Sequence, residues 1–308
     1  MTSSDIILGV LFLFQTAFGA LGNSFLLGLY SITFFIDPRL RIIHFLLSNL
    51  TLANDLVLLS KGIPQIMAAF GFNNFLDDIG CKLVFYLHRV ARGLSLCTTC
   101  LLSTFQAITL SSRSSRWADL KARGLKSIVS ICFWCWTLNL VAHYLTLLYI
   151  KSPNRTKNIT ERNDFIYCSL KTDVPLNATL YIFTISFPDV FCVAILIGTS
   201  GYMVFVLCRH HQRVKYIHHN TITPTSSPET KATQTILLLV SMFVSFYSLN
   251  AILTLYIYLG KVTFWLVHTS AFLAACFPAC SPFVLIVSDS EILKYSLAFW
   301  KRIKLLVK

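Results

Sequence analysis

His88 and Arg92 stand four residues apart in an otherwise apolar run, with Arg89 between them. On an α-helix a spacing of four puts two side chains on one face, and one step turns the chain by about 100°. Ionisable groups in such a run are expensive in lipid, so each needs a partner or a task. Their chemistry is recognition: a guanidinium offers several fixed donors to an acceptor, and an imidazole can donate or accept. Asp189 and His268, in later apolar runs, are the groups that can join them, Asp189 also as an ion-pair partner. His88, Arg89, Arg92, Asp189 and His268 are therefore the candidate ligand-binding residues. Asp55, beside Asn54, is expected to hydrogen-bond inside a helix bundle. Lys61 precedes Gly62-Ile63-Pro64, where the proline would kink its helix.

No catalytic constellation accompanies these residues. A Gly-rich phosphate loop, a His-Glu-x-x-His and a Gly-x-Ser-x-Gly elbow are all absent, so an enzyme is not expected. Cys97 and Cys100, like Cys132 and Cys135, have the C-x-x-C spacing of metal or redox sites. Inside apolar helices they read as small packing residues. His210-His211 and His218-His219 flank a basic loop and read as solvated. No metal and no cofactor is expected.

The elements that must hold these side chains follow from composition. The chain has 308 residues, 55% hydrophobic and 13% charged, with mean hydropathy +0.67. An ordinary soluble domain carries about 25% charged residues. The apolar residues fall in seven runs, each long enough at about 1.5 Å per residue to cross a bilayer. The spans are about 6–36, 42–70, 81–110, 127–150, 176–208, 232–260 and 262–288. The fold expected is an all-α membrane protein, one seven-transmembrane domain over residues 1–308. A short amphipathic helix, with Trp300 beside Lys301 and Arg302, is expected on the membrane surface at the C-terminal end. Ahead of the first run stands no basic region or small-residue cleavage site, so that run is expected to act as its own insertion signal. Mirrored, interrupted segments of the transporter kind are not found.

Orientation comes from counting cations. Sixteen Lys and Arg fall in loops 1–2, 3–4, 5–6 and the tail, against six in the opposite loops. The first set belongs in the cytoplasm and the N-terminus outside. The net charge of +13 thus reflects membrane orientation and does not call for nucleic acid. Asn154, Asn158 and Asn177 carry N-glycosylation patterns in the outer loop between spans four and five. Asn49 also fits the pattern but lies inside a span. Of ten cysteines, Cys81 and Cys168 are the pair on the oxidising side, where a disulfide is expected. Cys208, beside Arg209 at the inner membrane edge, is a palmitoylation candidate.

Seven spans, an outer N-terminus and a cysteine joining helix three to the second outer loop resemble the G-protein-coupled receptors. Ser60 to Gln65 (Ser-Lys-Gly-Ile-Pro-Gln), Met67 to Gly71 and Gly80 to Val90 (Gly-Cys-Lys-Leu-Val-Phe-Tyr-Leu-His-Arg-Val) narrow the match. So do Thr98 to Ser103, Phe105 to Thr109, Ser186-Phe-Pro-Asp-Val190, Ser226-Ser-Pro-Glu229, Phe243-Val-Ser-Phe-Tyr247 and Ser281-Pro-Phe-Val-Leu285. Together they resemble the vomeronasal type 1 receptors over nearly the whole chain. The resemblance implies a pheromone receptor in the plasma membrane of chemosensory neurons, with a small-molecule pheromone or odorant as ligand. It also implies a heterotrimeric G protein of the inhibitory class as partner. Gln106, Arg113, Arg116, Arg209 and Arg213 would face that partner, with Lys121 beside them. A bitter-taste-like receptor would keep the fold and change the ligands; a transporter or channel would need polar groups facing one another at the midplane.

The chain departs from the wider receptor class. Gln106 stands where that class has the arginine of Asp-Arg-Tyr, so an ionic lock cannot form there. Asn54 matches the aspartate that often holds sodium, with Asp55 one residue on. Ser281 to Leu285 lacks the tyrosine of Asn-Pro-x-x-Tyr, and the sixth span has no proline.

Overall fold

A computed structural model describes residues 3–36, 41–72, 75–111, 115–145, 147, 150–151, 168–170, 175–217, 228–259 and 264–288. They contain seven helices: α1 (Ser3–Ile36), α2 (Arg41–Ala69), α3 (Asp78–Ser111), α4 (Ser115–Ala142), α5 (Pro175–Ile217), α6 (Pro228–Leu259) and α7 (Phe264–Ser288). Hydrocarbon offers a chain no hydrogen bonds, so a spanning segment must satisfy its backbone internally, and an α-helix does so. Six of the seven are long and apolar enough to cross a membrane. In α4 the apolar stretch is shorter, Ser127–Ala142, and a 3₁₀ turn His143–Leu145 follows it.

The helix ends carry readable chemistry. At the end of α2, Gly71 takes φ 83°, the left-handed region, and Phe72 N–H donates to the Met67 carbonyl at 3.1 Å. Gly71 N–H donates to the Ala68 carbonyl, also at 3.1 Å. This is the double bond of a Schellman cap. Asp77 caps α3: its Oδ1 accepts from Gly80 N–H at 2.7 Å.

Cys81 Sγ is bonded to Cys168 Sγ, with Cα atoms 5.9 Å apart and both residues fully buried. Cys168 leads into a two-residue strand β2 (Ser169–Leu170), antiparallel to β1 (Ile150–Lys151). That pairing draws Ile150 and Lys151 into extended backbone, so helix cannot run to residue 150 as the hydropathy predicts. Helix α5 instead runs nine residues past Cys208, because no glycine or proline interrupts Arg209 to Ile217. Pro228 opens α6 from its first position, where a missing N–H costs nothing. The expected C-terminal surface helix, Asn154, Asn158 and Arg113 lie outside the described residues. Asn177 is in the first turn of α5.

Helix α3 runs through the middle of the bundle. Of its spanning stretch 61% is buried, against 11% for α5 and 22% for α1. Leu94, Leu96, Thr99, Leu102 and Ser103 are essentially inaccessible. The outward faces of α4 and α5 show Phe133, Trp134, Val141, Phe187, Val190 and Phe205. In water such a surface would aggregate; around a bundle in lipid it is the solvated face.

Small residues set how closely the helices approach. A Cβ on Gly19 would lie 2.7 Å from Leu58 Cδ1 and 2.9 Å from Ala279 Cα, so α1 rests directly on the backbone of α7. Gly28 on the same helix has nothing within 4 Å. Gly19→Val is expected to remove most of the protein from the cell surface, with Gly28→Val near wild type in the same surface-labelling measurement. Equal surface levels for the two variants would show that the α1–α7 contact is not needed.

Candidate ligand-binding site

Arg92 lies eleven residues into α3 from Cys81, about 16 Å along the axis from the disulfide. Its Nη2 donates to Asp189 Oδ2 of α5 at 3.2 Å, with the two side chains 28% and 17% exposed. The same Oδ2 accepts from the Tyr247 hydroxyl of α6 at 2.5 Å. The Arg92 guanidinium also lies 4.8 Å over the Tyr247 ring, a cation–π contact. One carboxylate oxygen thus joins three helices.

Beside this group is a small, partly open cavity between α2, α3, α6 and α7. Arg92, Ser95 and Asn250 give it polar walls; Val57, Phe243, Phe246, Tyr247, Leu273 and Phe277 give it apolar ones. The mixture, mostly apolar with a few convergent polar groups, is that of a small-molecule site. Phe243 packs edge-on against Phe277 at 4.7 Å and stacks on Tyr247 at 5.8 Å, so α6 and α7 share an aromatic wall. Asn250 is held by Ser270, whose hydroxyl donates to its Oδ1 at 2.8 Å.

Behind Arg92, toward α2, the site is crowded with positive charge. His88 hydrogen-bonds the backbone of Val57, and Lys61, His88, Arg89 and Arg92 lie within electrostatic reach of one another. His88, Arg89, Arg92 and Asp189 are therefore gathered at one level of the bundle. His268 is not with them. It is 3% exposed on α7 with its ring 6.0 Å from Phe12 of α1, and it does not line the cavity. Tyr247, Asn250, Phe243 and Phe277 escape a reading based on charge. Their signal is weaker: a four-residue aromatic repeat, Phe243 to Tyr247, and a lone amide in an apolar helix.

Below the cavity, uncharged hydrogen bonds tie the helices. Asn54 Nδ2 donates to Ser281 Oγ at 3.0 Å, and Ser95 Oγ donates to Asn54 Oδ1 at 2.7 Å, joining α2, α7 and α3. Asp55 turns away, toward α1, where Ser24 Oγ donates to its Oδ2 at 2.9 Å. Asn23 Nδ2 donates to the Pro278 carbonyl at 2.8 Å. That carbonyl is open because residue 282, its helical donor position, is a proline. Asn49 accepts from Trp136 Nε1 at 3.2 Å and donates to the Phe45 carbonyl, which commits its side chain inside the bundle.

At the far end of α3, Gln106 Nε2 donates to Thr233 Oγ1 of α6 at 2.9 Å, and both residues are buried. Ser103 and Thr199 join α3 to α5 by a hydroxyl pair at 2.7 Å. Gln106 is thus enclosed between helices in this arrangement. Arg209 is exposed on α5, and Arg116 and Arg213 lie within α4 and α5. Among the described residues, no group of three or more His, Cys, Asp or Glu is arranged to hold a metal.

Residues 6–298 match the model of the vomeronasal organ pheromone receptor family. The chain is 43% identical over 304 residues to the human vomeronasal type-1 receptor 4, covering 98% of this chain and 100% of that one. It is 43% identical over 294 residues to the human vomeronasal type-1 receptor 1, covering 94% of this chain and 82% of the relative. At greater distance it is 29% identical over 286 residues to olfactory receptor class A-like protein 1 of Danio rerio, 92% of this chain and 90% of that one.

Asn54→Ala removes bonds to two helices at once. It is expected to cost about 1–3 kcal/mol, because the buried hydroxyls of Ser95 and Ser281 lose their partner, and to lower the melting temperature of the purified protein in detergent. An unchanged melting temperature would mean that Ser95 and Ser281 re-pair without loss.

Proposed function

The chain belongs to the vomeronasal organ pheromone receptor family, and we propose that the cavity between α2, α3, α6 and α7 is where its chemosensory ligand binds. The protein is a multi-pass receptor of the plasma membrane, with a small molecule on one side and a heterotrimeric G protein on the other. The observation that carries the proposal is the lining of the cavity: Arg92 and Tyr247, both donors, stand among Phe243, Phe246 and Phe277. That lining suits a compact apolar body bearing one acceptor group. Helix α5 contributes indirectly, by holding Arg92 through Asp189.

The disulfide end is the outer end in this reading. The buried Cys81–Cys168 bond and the excess of cations in the opposite loops support it. Asn154, Asn158 and Asn177 are then the glycosylation sites. The partner is a G protein of the inhibitory class, met by Arg113, Arg116, Arg209 and Arg213 at the inner rim. Gln106 becomes accessible only when α6 moves away from it. A ligand can drive that movement only by binding the active arrangement more tightly than the resting one. Pro278 leaves the carbonyl of Ala274 without its helical donor, so α7 can bend beside the cavity.

Ala274 lines the cavity and is small enough to test it. Overfilling a packed site costs about 1–3 kcal/mol, so Ala274→Phe is expected to weaken activating ligands about tenfold or more. The measurement is nucleotide exchange on a co-expressed G protein across an odorant panel, with surface levels matched. A wild-type dose–response for Ala274→Phe would place the ligand elsewhere.

A further inference from the structure

Asp189 differs from the other charged residues of the site in one respect. Its two donors, Arg92 and Tyr247, both line the cavity, and Asp189 itself does not. The carboxylate reaches in from α5 and takes the two groups that an acceptor in the cavity would otherwise use. Both bonds end on the same oxygen, Oδ2. Lys61 and Arg89 add positive charge within electrostatic reach of Arg92.

We propose that Asp189 is a built-in competitor of the ligand: it occupies Arg92 and Tyr247 in the resting receptor and sets how strong an acceptor must be to replace it. The proposal rests on the cavity being the ligand site. A carboxylate adds the attraction of opposite charges to its hydrogen bond with a guanidinium, which a neutral acceptor lacks. A neutral carbonyl or hydroxyl of the right shape therefore loses the contest for Arg92 while Asp189 is present. Replacement also has a mechanical result. Asp189 ties α5 to α3 and α6 through one oxygen, so its release frees α6 from α5 at the level of the cavity. Ligand recognition and helix release are then one event.

The test uses the full-length receptor in cells without ligand. Asp189→Asn removes the charge, and Tyr247→Phe removes one hydroxyl while leaving the ion pair in place. Each is expected to raise ligand-free nucleotide exchange about fivefold or more at matched surface level, the ratio that follows from losing one net hydrogen bond. Asp189→Glu, which keeps the acceptor and the charge, is expected to stay closer to wild type. In Asp189→Asn, neutral members of the odorant panel that leave the wild type silent are expected to become activators. Wild-type basal exchange in both Asp189→Asn and Tyr247→Phe would overturn the proposal. If Asp189→Asn fails to reach the surface, Tyr247→Phe decides alone.

A second readout keeps this separate from the receptor assignment. Labels at Arg209 and Gln234, both exposed, report the separation of α5 and α6 in purified protein without any G protein. A wider separation in Tyr247→Phe supports the competitor role even where no exchange is seen with any ligand, which would instead count against the proposed site. An unchanged separation together with unchanged exchange overturns it.

Discussion

A guanidinium inside a membrane has no solvent to fall back on, and Arg92 finds its counter-charge on another helix. Leaving a charge unpaired at such depth costs several kcal/mol, more than most single contacts in the bundle contribute. The pairing with Asp189 therefore constrains how α5 is rotated and raised against α3. Tyr247 adds α6 to the same oxygen. The cavity, the aromatic wall and the outward faces of α4 and α5 are arranged around that three-helix contact.

The two ends of the bundle are held by bonds of different strength. Near the disulfide the ties are charged, between Arg92, Asp189 and Tyr247. At the far end they are neutral: Gln106 to Thr233 and Ser103 to Thr199. Neutral interhelical bonds in membranes contribute about 0.6 kcal/mol on average, and bonds to charged groups about 1.5–3. The end near the disulfide is thus the more firmly tied, and the far end is held by weaker bonds. Gln106, which removes the ionic lock of the wider receptor class, fits that division of strength.

Much of this is legible in the residues. Long apolar runs give seven segments because hydrocarbon thickness and helical rise leave no other solution, and the cysteines on one side give the bridge. Arg92 and Asp189 stand out as charges that lipid would not tolerate alone. Tyr247 and Asn250 do not, since hydropathy measures position along a helix and says little about its rotation. His268 shows the same limit from the other side: its chemistry suits a site, but packing turns it against Phe12. Hydropathy overruns the end of α4 because Ile150 and Lys151 are claimed by strand partners, Leu170 and Ser169, far along the chain.

The central claim is that Arg92 and Asp189 hold each other across α3 and α5, and reversing both charges tests it most directly. Arg92→Asp alone and Asp189→Arg alone each put like charges together inside the membrane. Surface labelling of the two single variants is predicted to fall to near background, and that of the double variant to return toward wild type. A double variant as depleted as the singles, or singles at wild-type levels, would contradict the account.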